Sequence, residues 1–167
     1  MLSTRDRNLL KIKELLPERQ YAVIAWCDEC ELQGFPIKIS EVYRTRERQN
    51  DLYEQGRTRP PWKIVTYTRN SDHTKRLALD VYAASGESTP EFYSTIEMLA
   101  KKYGITHPFT GAPLVDLPHF SVSYVSPEKP KEPDKNSIER AIERLEKKGA
   151  NRTRLGVLKR LLARIVG

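Results

Sequence analysis

The chain has 167 residues, enough for one domain with a hydrophobic core and a short appendage but too few for two full-sized domains. Hydrophobic residues make up 38% and charged residues 31%, and no apolar run approaches the roughly 20 residues that span a bilayer, which argues against a membrane protein. Residues 127–167 contain twelve Lys or Arg and six Asp or Glu, so +6 of the net charge of +7 lies in this segment.

Four helices are predicted in the first 104 residues from apolar periodicity and capping residues. The first ends before Pro17, which begins the second, and the second ends at Gly34. Thr45 caps the third helix, which covers residues 46–55. The fourth opens with Ser88-Thr89-Pro90-Glu91 and ends at Lys101-Lys102-Tyr103-Gly104.

Four strands are predicted from β-branched and aromatic content and from alternation, at residues 37–43, 63–68, 77–83 and 119–124. We expect the strands at 63–68 and 77–83 to pair with each other. Helices and antiparallel strands in blocks favour an α+β fold, with a small antiparallel sheet and flanking helices.

The chain divides into three parts by composition. We predict a domain over residues 1–125, a linker rich in Pro and charge over 126–136, and a basic helical tail over 137–167. The end of the tail is amphipathic and contains no acidic residue after position 150. Its apolar stripe either packs on the rest of the protein or lies on an anionic membrane or cell-wall surface.

Cys27 and Cys30 are the two cysteines, too few for a disulfide framework, and they lack the second pair that a zinc ribbon requires. We expect them to be ordinary, partly buried helix thiols. The N-terminal segment interrupts every apolar cluster with Arg, Lys or Glu, unlike the continuous apolar core of a secretory signal. We therefore expect synthesis in the cytoplasm.

Two of the three histidines lie near carboxylates in the sequence. His73 precedes Asp80 by seven positions, and Pro118 favours an extended backbone that projects Asp116 and His119 beside each other. Two imidazoles and one carboxylate form a three-ligand zinc site with an open fourth position, the arrangement typical of catalytic sites. From spacing alone, ordinary surface or capping histidines remain an alternative.

Three sequence blocks resemble the zinc D-Ala-D-Ala peptidase family, which includes vancomycin-resistance dipeptidases, D,D-carboxypeptidases and phage L-alanyl-D-glutamate endolysins. The block from Ser71 to Asp80 resembles the family motif S-x-H-x-x-G-x-A-x-D, and Asp116 to His119 resembles the second motif. Residues 40–57 resemble S-x-x-Y-R-T-x-x-x-Q-x-x-L-Y-x-x-G-R. The blocks follow the family order and span about residues 36–124.

The resemblance implies a zinc peptidase with the fold shared by these enzymes and the hedgehog signalling domains. The implied zinc ligands are His73, Asp80 and His119. Asp116 corresponds to the general base that accepts a proton from the zinc-bound water, whose pKa falls toward about 7. Arg44 corresponds to the arginine near the scissile carbonyl, with a structural ion pair as its alternative, and Ser71 to a hydroxyl that contacts the substrate.

The implied substrate is a stem peptide of peptidoglycan. Aspartate at position 116 favours the L-alanyl-D-glutamate endopeptidases, and a D-Ala-D-Ala-type carboxypeptidase is the alternative. An inactive, metal-bearing relative is a further alternative that Asp116 argues against. Release by a holin or delivery by a virion would bring such an enzyme to the periplasm and cell wall.

Two positions depart from the family pattern. Arg76 occupies the place of the motif glycine, which indicates a relaxed or repositioned backbone there. His107 follows Tyr103-Gly104, where the family has an aromatic and Gly-rich segment, and we expect it to be a solvent-facing loop residue rather than one that supports the site or substrate.

A nucleic-acid-binding protein is the remaining alternative, since the pI is near 9.4. The body outside the tail is nearly neutral and contains no recognised nucleic-acid motif, so we expect no nucleic-acid partner.

Overall fold

The computed structural model describes residues 2–111 and 114–122, together with seven isolated helical positions between 139 and 163. In chain order its elements are α1 (Thr4–Ile12), α2 (Pro17–Gln33), β1 (Ile37–Ile39), α3 (Arg46–Glu54), β2 (Ala78–Ala83), α4 (Pro90–Ala100), β3 (Ile105–Thr106), β4 (Thr110–Gly111), β5 (Leu114–Val115) and β6 (His119–Val122). Two 3₁₀ turns, Asp72–Lys75 and Lys101–Tyr103, precede β2 and β3.

The main sheet is antiparallel throughout, with the strand order β1-β2-β6-β3. A separate two-stranded hairpin is formed by β4 and β5. The predicted α+β fold, with a small antiparallel sheet and flanking helices, is confirmed.

The helix ends follow the capping residues in the sequence. The hydroxyl of Thr45 accepts a hydrogen bond from the backbone N–H of Arg48 at the start of α3, and Thr89 caps α4 in the same way. Pro17 is the first residue of α2, which ends at Gly34 in the left-handed conformation with φ of 92°. Local capping chemistry therefore explains where these helices begin and end.

The hydrophobic core lies between one face of the sheet and the helices α2 and α4. Trp26 on α2 packs against Phe120 on β6 with ring centroids 5.0 Å apart, and its indole N–H donates to the carbonyl of Ile96 on α4. The hydroxyl of Tyr93 donates to the carbonyl of Val81 on β2. These buried polar groups all find partners, which fixes the two helices on the strands.

The strand predicted at residues 63–68 is absent, so its pairing with 77–83 is wrong. Both edges of β2 are occupied, one by β1 and the other by β6. The segment 63–68 is mostly exposed, and Gln49 holds it through hydrogen bonds to Thr66 and Thr68. A high β propensity produces a strand only where a partner and a surface to cover are available.

The strand predicted at residues 37–43 is shorter, because β1 ends at Ile39. The next residues stay beside β2, where Ser40 donates its backbone N–H to Asp80 and Asp80 donates its own to Glu41. This irregular segment brings the carbonyl of Val42 against His73. The loss of regular pairing thus places a backbone acceptor at the candidate site.

The last predicted strand is confirmed over β6, whereas positions 123 and 124 lie outside the described residues. The linker at 126–136 also lies outside them, as do most positions of the tail at 137–167. Both stay predictions. In the part of the chain that the structure describes, none of the helices has the length and hydropathy needed to cross a membrane.

Candidate metal centre

Three predicted ligands meet where β2 and β6 pair. The strand register places Asp80 directly opposite His119, and His73 reaches the same point from the 3₁₀ turn before β2. The Nε2 atom of His73 lies 3.1 Å from Nδ1 of His119 and 3.2 Å from Oδ1 of Asp80. The remaining distance, from His119 Nδ1 to Asp80 Oδ1, is 3.6 Å.

The triangle of donor atoms fits a zinc ion. Corners of a tetrahedron with bonds of about 2.0–2.1 Å lie about 3.3–3.4 Å apart, and the three observed distances scatter around that value. Two imidazole nitrogens and one carboxylate oxygen form the donor set of an open, catalytic zinc site. The convergence arises from a turn and two strands, and the predicted pairing of 63–68 with 77–83, which is absent, has no part in it.

The buried ring of His73 is held in one orientation. Its Nδ1 lies 2.7 Å from the carbonyl oxygen of Val42, so the Nδ1–H donates to the backbone. The lone pair of Nε2 is then free to face Asp80 and His119.

His119 is oriented by neighbours on its other side. Its Nε2 lies 3.3 Å from the hydroxyl of Ser121, which in turn lies 3.3 Å from Oδ2 of Asp72 and donates to it. A hydrogen on Nε2 leaves the lone pair of Nδ1 for a metal. The ring of Phe109 lies 5.1 Å from the imidazole and closes one flank of the site.

The protonation of Asp80 suits a metal ligand. Burial opposes its charged form, but in the absence of a metal the imidazoles of His119 and His73, when they carry hydrogen on the nitrogens that face Asp80, outweigh burial and hold the pKa of the carboxyl well below its usual range. The group is therefore a carboxylate, as metal binding requires.

Asp116 lies at the exposed rim of this cluster and has a different electrostatic environment. Although its side chain reaches solvent, the protein atoms around the carboxyl and the charge of Asp80 raise its pKa above the ordinary value. The rings of His119 and His73, when protonated, and the guanidinium of Arg44 act in the opposite direction. Among the described residues its carboxyl has no hydrogen-bond partner, which leaves it available as a proton acceptor.

Arg44 lies against the cluster, with its Nη2 4.0 Å from Oδ2 of Asp80. Glu41 binds the guanidinium through Nε and Nη2, and Gln49 accepts from Nη1 at 2.8 Å. The structural ion pair considered from the sequence is thus present. The ion pair holds the guanidinium beside the candidate ligands, so a structural role of Arg44 is compatible with a role near the scissile carbonyl.

Ser71 is buried just before His73, and its hydroxyl accepts the backbone N–H of His73 as the cap of the 3₁₀ turn. Its contact with a substrate stays a prediction. Arg76 ends the same turn with φ of 61°, the left-handed region that favours glycine. The expected change of the backbone relative to the family stays a prediction, and the guanidinium lies over the ring of Tyr43 at 4.5 Å.

The prediction that His107 faces solvent is wrong. Its side chain is only 1% exposed, and the ring stacks on Phe120 with centroids 4.3 Å apart. β3 pairs with β6, and this pairing carries His107, the residue after β3, into the interior.

Several supporting residues were not identified from the sequence as parts of the site. The sequence contains weak indications of two of them. Glu41 lies three positions before Arg44, and Ser121 lies two positions after His119, which places both on the same face of a strand. The contact between Ser121 and Asp72 joins residues 49 positions apart, which no local pattern indicates.

Comparison with solved structures identifies the fold. The L-Ala D-Glu endopeptidase ChiX of Serratia marcescens matches with a TM-score of 0.54 and 19% identity, over 70% of this chain and 86% of that one. The L,D-carboxypeptidase DacB of Streptococcus pneumoniae matches with a TM-score of 0.53 and 19% identity, over 82% of this chain and 78% of that one. The vancomycin resistance D,D-pentapeptidase VanY, in complex with Zn(II), matches with a TM-score of 0.51 and 19% identity, over 89% and 83%.

The chain therefore has the fold of these peptidases, as its sequence motifs indicated. No protein-family model matches the sequence, and no curated protein matches it either.

Proposed function

We propose that the chain is a zinc-dependent peptidase that hydrolyses the stem peptides of peptidoglycan. The principal observation is the triangle of donor atoms from His73, Asp80 and His119, with the carboxyl of Asp116, which has no hydrogen-bond partner among the described residues, at its rim. The likeness in fold to peptidases that act on such peptides supports the choice of substrate class.

A zinc ion in such a site supplies Lewis acidity, which polarises a carbonyl and lowers the pKa of a bound water toward about 7. In this proposal Asp116 accepts the proton of the attacking water and later donates it to the leaving amine. Arg44 stabilises the negative charge that develops on the carbonyl oxygen, since Glu41 and Gln49 hold its guanidinium in place. Ser71 contacts the peptide near the scissile bond.

We further propose that the bond cleaved is L-alanyl-D-glutamate. The support is the residue type of the base. Asp116, three positions before His119, resembles the aspartate of the L-alanyl-D-glutamate endolysins, whereas the dipeptidases have glutamate as the base. A carboxypeptidase acting on D-Ala-D-Ala is the second candidate, because the VanY structure has the same fold and a comparable TM-score.

Digestion of purified peptidoglycan, with mass spectrometry of the products, tests both proposals. The zinc-loaded protein should release stem peptides that begin with D-glutamate. Removal of a terminal D-alanine without release of such peptides would support the second candidate instead. Addition of a chelator and the Asp116→Asn variant serve as controls: the chelator should abolish the products, and the variant should form them at a rate lower by about 100-fold or more.

Absence of any new peptide, from a protein that contains one zinc per chain, would contradict the proposed function. Cleavage that persists after zinc removal would contradict the proposed mechanism.

A further inference from the structure

The third histidine, His107, lies in the interior next to the candidate site without being one of its ligands. Its ring is nearly parallel to that of Phe120, with an angle of 7° between the two planes. Tyr93 on α4 lies 6.0 Å away between ring centroids. A polar ring buried among aromatic groups needs hydrogen-bond partners, and their identity shows what the residue does.

Both ring nitrogens of His107 face oxygen atoms that can only accept. Nε2 lies 2.7 Å from the carbonyl oxygen of Leu117, and Nδ1 lies 3.3 Å from Oε2 of Glu97. Each contact requires a hydrogen on the imidazole nitrogen. Burial opposes the charged form of Glu97, but hydrogen bonds from Lys101 and His107 outweigh it and lower the pKa of this carboxyl, so it accepts as a carboxylate.

The Leu117 carbonyl belongs to the turn that joins Asp116 to His119. The backbone of this turn has further bonds, from the Asp116 N–H to Phe109 at 2.8 Å and from the Val81 N–H to Pro118 at 2.9 Å. The peptide unit between Leu117 and Pro118 has no N–H, because its nitrogen belongs to proline. This unit can therefore be held only through its carbonyl, which is the group that His107 binds.

We propose that His107, anchored on α4 by Glu97, is a positioning residue that fixes the Asp116 to His119 turn and thereby the direction of the Asp116 carboxyl. This inference rests on the proposed function for its catalytic consequence. A misplacement of about 1 Å costs a catalytic group up to roughly 100-fold in rate, so the orientation of one peptide plane matters.

Two replacements of His107 separate positioning from packing. Phenylalanine keeps a flat ring against Phe120 and removes both donors, whereas glutamine keeps an N–H near the position of Nε2 and removes the ring. Positioning predicts that His107→Phe lowers kcat by about 10- to 100-fold with little change in KM, and that His107→Gln recovers most of the rate. A residue that only fills the core predicts the opposite order, with phenylalanine better tolerated than glutamine.

Amide hydrogen exchange in the zinc-loaded protein gives a second measurement that does not depend on peptidase activity. The His119 N–H donates to the carbonyl of Asp116 within the turn. Its exchange should accelerate at least about 10-fold in His107→Phe and stay near the wild-type rate in His107→Gln. If the wild type hydrolyses no peptide but this pattern appears, the proposed function fails and the positioning role stands.

If the His107→Phe variant does not fold, Glu97→Gln tests the same inference with a smaller change. The side chain of Glu97 is 25% exposed, and the change weakens the anchor of the ring together with the ion pair to Lys101. We expect a loss in kcat of a few-fold to about 10-fold with zinc retained. The matched control is Lys101→Ala, which removes the other partner of Glu97 and should leave kcat unchanged.

Wild-type exchange at the His119 amide in both His107→Phe and Glu97→Gln would overturn the inference. Equal losses of kcat in His107→Phe and His107→Gln would overturn it as well.

Discussion

The two faces of the paired strands β2 and β6 differ in chemistry although they share the same backbone. Leu79 and Phe120 pair on one face and are fully buried in the core, whereas Asp80 and His119 pair on the other and face the candidate metal. A shift of register by one residue would exchange the two faces. The packing that stabilises the fold therefore also sets the distance between two candidate ligands.

The largest effect is expected when a ligand is removed from the polar face. His73→Ala or His119→Ala leaves two protein ligands, and zinc affinity should fall by more than the 10- to 100-fold that is typical when only a residue supporting a ligand is changed. Metal analysis of the purified variants after dialysis measures the effect. Full zinc occupancy in both variants would reject the assigned site.

The apolar face offers a matched control at the neighbouring position. Phe120→Leu should lower the free energy of unfolding by about 1–2 kcal/mol, because it leaves part of the space beside Trp26 unfilled. It should leave zinc content at one per folded chain. Loss of zinc without loss of stability in this variant would mean that the two faces do not have separate roles.

Asp116→Asn tests the rim of the polar face. An amide cannot accept the proton of the attacking water, and general acid-base catalysis typically contributes 10²–10⁴, so kcat should fall by about 100-fold or more. Zinc content and thermal stability should stay unchanged, since the carboxyl has no hydrogen-bond partner among the described residues. Near-normal turnover would remove Asp116 from the role of base.

Arg44→Lys tests whether the guanidinium beside Asp80 has a catalytic role or only a structural one. The single ammonium nitrogen of lysine cannot reproduce the planar fork whose separate nitrogens bind Glu41 and Gln49, and loss of one charge-assisted hydrogen bond corresponds to about 10-fold in kcat. The matched control is Arg48→Lys, because Arg48 binds the same Glu41 but has a side chain that is 62% exposed. A drop in melting temperature without a change in kcat would leave Arg44 structural.

Removal of the basic tail should have the smallest effect on the rate of hydrolysis. A chain that ends after Ser126 keeps all six candidate site residues, so hydrolysis of a small soluble muropeptide should stay within about 2-fold of the full-length rate. Activity on whole cell walls or anionic membranes should fall, and the difference should shrink with added salt because ions screen exposed charges. Equal, salt-independent losses on both substrates would mean that the tail is needed for folding.

The sequence predicts the helices well because their ends depend on local chemistry. Thr45, Thr89 and Gly34 act within one turn of their own position. The candidate ligands were likewise predicted because they belong to short motifs that resemble those of the peptidase family, His73 and Asp80 to one and His119 to another. The strand at 63–68 was predicted wrongly because its existence depends on a free sheet edge, which β1 and β6 already occupy.

The buried position of His107 could not be predicted for a related reason. Its partners, Glu97 and Leu117, each lie ten positions away, on opposite sides in the sequence. Only the pairing of β3 with β6 brings them together around one ring. Local patterns therefore identified the candidate ligands but not the residues that hold them.

In the proposed function, the polar face of β2 and β6 binds zinc through two imidazoles and a carboxylate. The main competing donors are Cys27 and Cys30 on α2, where burial raises the pKa of the Cys27 thiol to about 12 and disfavours metal binding. X-ray absorption spectroscopy of the zinc-loaded protein distinguishes the two regions. We predict nitrogen and oxygen neighbours at about 2.0–2.1 Å with the multiple scattering of about two imidazoles, whereas a sulfur shell at about 2.3 Å would contradict the claim.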